Sequence, residues 1–159
     1  MTLRKPSRLP NPRQTEHHAM KLASSAPLES AGLLIGRLLL AAIFILEGWS
    51  KVRGYEAAAA YMDRYGVPSV LLPAVIALEL GAGLMVAAGW QTRVAAAALA
   101  LFCIVAAVLF HGNVLDRNQL LHFEKDLAIA GGFLVLAVRG AGSWSIDQWL
   151  GGGAGRSRH

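Results

Sequence analysis

Apolar residues fall into four runs separated by short polar stretches. The first covers 31–50 and is interrupted by Arg37 and Glu47. The second covers 70–90 and has Glu79 inside it. The third, 94–110, carries no charge and ends at His111. The fourth is shorter, running from Lys125 to about 138. A bilayer crossing takes about 20 residues, so the pattern predicts four spans. The stretch 51–69 holds Lys51, Arg53, Glu56, Asp63 and Arg64, too many charges for a span. Tyr55, Tyr61, Met62 and Tyr65 among alanines predict a short helix lying at the interface, ended by Gly66 and Pro68. Residues 91–93 are a tight turn between antiparallel neighbours, and 112–124 a polar loop. The fourth span either begins with Lys125 and Asp126 already at membrane depth or extends past Arg139 to Trp144 and Trp149. The predicted fold is all-α: an integral membrane four-helix bundle with an interfacial helix between spans 1 and 2.

Composition agrees with this reading. Of 159 residues, 55% are hydrophobic and 16% charged, which excludes a disordered chain and disfavours an ordinary soluble domain. The organisation expected is a basic, disordered cytoplasmic tail over 1–30, a membrane domain over 31–149 and a flexible tail over 150–159. The first tail has no apolar core of the kind a signal peptide needs. His17 and His18 within it read as solvated. The net charge of +5 sits mainly beside the spans, so the bilayer, not nucleic acid, is the expected partner. With the N-terminus inside, the inner segments carry Arg4, Lys5, Arg8, Arg13, Lys21, Arg93, Arg139, Arg156 and Arg158, against Lys51, Arg53, Arg64, Arg117 and Lys125 outside. That asymmetry predicts both termini cytoplasmic. One cysteine, Cys103, excludes an internal disulfide, a CxxC pair and a cysteine-ligated iron–sulfur cluster. It lies mid-span and reads as a small core residue.

Charges inside spans are costly and usually face the bundle interior. Counted by depth, Arg37 and Glu79 come close enough near mid-membrane to form a buried ion pair, either structural or tied to protons or a ligand. A second cluster falls at the outer level. Glu47 and Lys51 are four apart with the acid first; His111 ends the third span; His122, Lys125 and Asp126 open the fourth. Lys125 shares a helix face with Ala128 and Gly132, which predicts that it faces a neighbouring helix. Such a cluster could bind a polar head group, hydrogen-bond a quinone carbonyl or move a proton, with His titrating near neutral pH. Its plainer reading is interfacial capping with snorkelling lysines. Catalytic candidates are His111, Lys125, Asp126 and Glu47; candidates for a quinone head group are Lys51, His111 and Lys125. No haem or metal site is expected, because the histidines lie near one edge and too few ligands converge. Gly32 and Gly36 form a GxxxG that allows close helix approach.

The chain resembles the DoxX family of small bacterial membrane proteins over about 31–149. The resemblance rests on RLLLAAIFILEGWSKV at 37–52, LELGAGLMVAAGWQTRVAA at 78–96, FCIVAAVLFH at 102–111 and FEKDLAIAGGFLVLAVRGAGSWSID at 123–147. Asp126 stands where the family pattern often has Asn. The resemblance implies a four-helix bundle in the bacterial inner membrane. It implies function more loosely: a link to quinone oxidoreductases and oxidative stress, with quinone as the one cofactor to consider. The alternative is a non-enzymatic assembly, scaffold or stress-tolerance protein. A redox or membrane-protein partner fits either reading, and association into a homo-oligomer stays open.

Overall fold

The computed structural model describes the backbone over residues 12–113 and 115–154, and side chains over 27–113 and 115–151. The basic residues before Pro12, the rings of His17 and His18, and Arg156 and Arg158 lie outside the described residues. Every regular element is a helix. They are α1 (Pro12–Arg53), α2 (Tyr55–Arg64), a 3-10 turn (Ser69–Leu71), α3 (Leu72–Ala88), α4 (Thr92–His111), α5 (Arg117–Arg139) and α6 (Ile146–Ala154).

The bundle is inside-out in the way a membrane demands. The segments Pro27–Arg53, Ser69–Ala88 and Thr92–His111 are long and apolar enough to cross a bilayer. Their outward faces carry Leu39, Leu46, Leu101 and Val108, all well exposed. A helix apolar on every face suits lipid outside and protein inside. The inner face is built from small residues: Ala41, Ala82, Ala95, Ala96, Ala100 and Ala130, with Leu99, Val86 and Phe133 filling the gaps. Small residues let backbones approach where lipid supplies no hydrophobic drive between helices. Phe44 meets Phe133 edge-on at 5.3 Å and Phe102 at 6.2 Å, joining α1, α4 and α5. Cys103 is buried in this core, as its neighbours predicted.

The fourth member of the bundle, α5, has 23 residues. That is about 35 Å of helix, enough to cross, although its first turns are polar. It packs along α4 more extensively than any other pair in the chain. The loop expected over 112–124 is therefore mostly helix. Asp116 accepts hydrogen bonds from the backbone of Asn118 at 2.8 Å and Gln119 at 3.2 Å, and so starts α5 two turns before its apolar run.

Residues 12–30 lie on α1. Once a helix is nucleated, each added residue gains a bond, and Pro27 removes one. Residues 150–154 close α6. Among the described residues, nothing lies within 4 Å of a Cβ built at Gly32 or Gly36, so their GxxxG packs against none of them. The close approach is made by Gly48, where a Cβ would lie 2.8 Å from Leu80. The interfacial helix is α2. Its Tyr61 and Tyr65 rings pack on Phe110 at the end of α4.

Candidate functional site

Buried charge occurs at both ends of the bundle. The register between α1 and α3 sets which groups meet. The two helices are antiparallel and touch at Gly48 with Glu79 and Leu80, at Ala41 and Ile45 with Gly83, and at Arg37 with Gly89. Arg37 thus stands level with residue 89, and Glu79 level with residue 48. About ten residues of helix, roughly 15 Å, separate the two groups. The Arg37–Glu79 pair expected from depth is not formed. Side chains also lean toward their own helix N-terminus. On antiparallel helices that turns Arg37 and Glu79 away from each other, and turns Lys51 and Glu79 together.

At its end Arg37 is 3% exposed and serves as a clasp. Nη1 donates to the carbonyl of Ala141 at 2.9 Å and Nη2 to that of Trp144 at 3.0 Å. The segment it holds is locked to the α3–α4 turn. Gly89 has φ +71°, and a Cβ there would meet Arg37 Nη1 and Ser145 Cβ at 2.5 Å. The Gly89 carbonyl accepts from the Asp147 N–H at 2.8 Å. The Asp147 carboxylate accepts from the N–H of Gln91 at 2.7 Å and of Thr92 at 3.0 Å, capping α4. Burial pushes the Asp147 carboxyl up, but the two backbone N–H groups, with help from Arg37, outweigh it and hold it below the usual carboxylate range. The 78–96 and 123–147 sequence pieces therefore meet in space as one clasp.

At the other end Glu79, also 3% exposed, accepts from Lys51 Nζ at 2.9 Å through Oε1. Its Oε2 is buried without a hydrogen-bond partner among the described residues. Lys51 lies 3.4 Å from Glu47 Oε2, and Glu47 is 63% exposed. The triad thus runs from the surface to an interior carboxylate. The sequence reading had Glu47 and Lys51 together but missed Glu79. The signal was available: a lysine at a helix C-terminus reaches back into its own helix, down toward the buried acid.

A second polar group lies at the same end of the bundle, on α4 and α5. His111 Nδ1 lies 2.7 Å from Gln119 Oε1, an acceptor only, so Nδ1 carries the proton. Gln119 Nε2 faces the Tyr65 hydroxyl at 3.4 Å, which fixes the amide. His111 Nε2 then faces Asp126 Oδ2 at 3.9 Å. The His122 ring stacks on His111 at 5.0 Å. Lys125 does not join. It is exposed, as is Ala128. The inward stripe is Asp126, Ala130 and Phe133, one residue on from the face expected. Phe133 sets that face, because a fully buried ring outweighs small residues that fit either side. Among the described residues, no three histidine, cysteine or acidic side chains are arranged to hold a metal.

The DoxX family profile matches residues 32–112, just over half of the chain. The chain belongs to the DoxX family. Inner membrane protein YqjF of Escherichia coli (strain K12) is 45% identical over 123 residues, covering 77% of this chain and 95% of that protein. Inner membrane protein YphA of the same organism is 34% identical, over 73% of this chain and 88% of its own. A Bacillus subtilis (strain 168) protein named "Putative oxidoreductase CatD" is 32% identical, over 66% and 84% respectively. No solved structure matches the chain.

Proposed function

We propose that this DoxX-family protein is a quinone-linked redox protein, or a subunit of a redox complex, in the bacterial inner membrane with both termini cytoplasmic. The observation that carries the reading is Glu79: a carboxylate buried among apolar helices, tethered to Lys51, with one oxygen unpaired among the described residues. An unpaired buried polar atom is costly, and such groups in spans are usually kept for function. The donor set suits a quinone head group. Lys51 and His111 are cations or donors, each partly open to the outside, and Asp126 and Glu79 are acceptors able to pass protons. Quinone reduction consumes two electrons and two protons. Here Lys51 and, once Nε2 is also protonated, His111 donate hydrogen bonds to the quinone oxygens, while Glu79 and Asp126 relay the two protons from the outer side. The electrons come from a partner enzyme or a diffusible reductant. The name of the Bacillus subtilis relative supports the oxidoreductase class.

The test is to purify the protein in native lipid discs and quantify extracted quinone against an unrelated four-span protein. Quinone near one per chain, lost in Lys51→Ala and His111→Ala and retained in Glu79→Gln, is the expected result. Quinone at the control level in the unaltered protein sinks the proposal and moves weight to an assembly or scaffold role.

A further inference from the structure

The clasp end has two cavities that the redox reading does not use. One is an open cleft of about 640 Å³, bordered by Arg93, Arg139, Gly142, Ser143, Asp147 and Gln148. The other is an apolar groove of about 550 Å³ along α3, formed by Gly81, Leu84, Met85, Ala88, Trp90 and Ile146. They share a wall one residue thick. Trp90 faces the groove and Gln91 the cleft; Ile146 faces the groove, while Ser145 and Asp147 face the cleft.

The charges in the cleft are not balanced. Asp147 is committed to the amides of Gln91 and Thr92. Arg139 pairs with Glu29. Arg93 lies over Gly140, is exposed, and makes no hydrogen bond or ion pair among the described residues. The groove is open where a lipid tail would enter: nothing lies within 4 Å of a Cβ built at Gly81. A charged cleft beside an apolar groove, at the end of a membrane-spanning bundle, matches one kind of molecule.

We infer that this end of the bundle binds an anionic phospholipid, its phosphate against Arg93 and one acyl chain in the groove beside Gly81 and Trp90. Arg93 supplies a fixed, permanently charged donor fork for the phosphate. Trp90, half exposed, sits where indole favours the headgroup level. The bound lipid then lies across the Gly89–Asp147 clasp and braces the 140–147 segment.

The experiment uses the full chain in discs of mixed phosphatidylglycerol and phosphatidylcholine. After mild detergent extraction, native mass spectrometry reads the lipid retained per chain. One phosphatidylglycerol, enriched over phosphatidylcholine, is expected. Arg93→Gln should lower the enrichment about fivefold, the worth of one basic residue near an anionic surface. Gly81→Leu should lower retention by filling the groove without touching a charge. Arg64→Gln, on exposed α2 at the other end, removes an equal charge and should leave the enrichment unchanged. Equal retention of both lipids, or equal losses in Arg93→Gln and Arg64→Gln, overturns the site in favour of general surface attraction. An unchanged Gly81→Leu overturns the groove assignment. Unfolding temperatures of all variants separate a lost site from a lost fold.

Discussion

The two buried charges of this bundle have equal exposure and opposite characters. Arg37 and Glu79 are each 3% exposed, one near each end of the α1–α3 contact. Arg37 gives two N–H groups to backbone carbonyls, which cannot titrate and cannot leave, although its Nε, like Glu79 Oε2, is buried with no partner among the described residues. Glu79 leans on Lys51, which is itself shared with the exposed Glu47. One arrangement fixes chain to chain. The other connects a buried acid to the surface through groups that exchange protons. Burial alone does not mark a functional charge; the nature of its partners does.

The comparison breaks first if Arg37 can be lost cheaply. Arg37→Met should leave the Ala141 and Trp144 carbonyls unpaired. A buried unsatisfied group costs about 1–3 kcal/mol, so the loss should be about 2–6 kcal/mol. Thermal unfolding in detergent should read it, and proteolysis after residue 139 should speed up. Gly89→Ala should do similar damage, since its Cβ would strike Arg37 and Ser145 at a positive φ. An Arg37→Met protein that unfolds normally but has lost its activity would reverse the roles given to the two ends.

Glu79→Gln tests the other side. The amide oxygen can still accept from Lys51, so the unfolding temperature should move little. Turnover with quinone should fall about a hundredfold or more, the usual reach of a positioned proton-transfer group. Glu79→Leu separates packing from chemistry: it should unfold no more easily than Glu79→Gln and be as inactive. A large stability loss in Glu79→Gln with turnover intact would make Glu79 a structural ion-pair member only.

What the sequence disclosed depends on which force decided each feature. Long apolar runs announced the three strongest spans because burial in lipid needs only length and hydropathy. The start of α5 was hidden because a single capping residue, Asp116, overrides the polarity of 117–124. The partners of Arg37 were hidden because they are backbone carbonyls a hundred residues away, which no residue type advertises. Glu79 was assigned the wrong partner because depth was counted and side-chain lean was not. The tilt of Lys125 away from the bundle was set by Phe133, two turns further on. The piece 123–147 was visible as a pattern, but the pairing of its end with 89–92 is a fact of the fold.

The Asp147 cap sharpens the structural end of the comparison. Asp147→Asn weakens the charged half of a cap worth about 0.5–2 kcal/mol. The expected loss is at the lower part of that range, read by the same unfolding assay. The pH dependence has a definite sign. The folded state holds Asp147 below its usual range, so the unfolded chain binds a proton more readily. The contribution is full above the unfolded value, about 3.9. It fades as pH falls through that value toward the lower folded one. Stability of the unaltered protein should therefore drop on acidification more than that of Asp147→Asn. Equal slopes below pH ~5 would mean that the cap carries no ionic share.

Glu47→Ala should have the smallest effect and is the sharpest probe of where the site begins. Glu47 is 63% exposed and 3.4 Å from Lys51, a geometry typical of surface pairs. Such pairs contribute about 0–1 kcal/mol, screened by salt. Its removal should cost little stability at low salt and nothing measurable at high salt. Lys51 keeps Glu79 as a partner at 2.9 Å, so the buried half of the triad survives. Turnover should then change no more than a few-fold, through slower proton entry rather than a lost group. If Glu47→Ala is as inactive as Glu79→Gln, the chemistry sits at the rim, and the free oxygen of Glu79 is an incidental cost of folding. If only Glu79→Gln is inactive, the reacting group lies inside the bundle, and the Lys51 ammonium is its link to the outside.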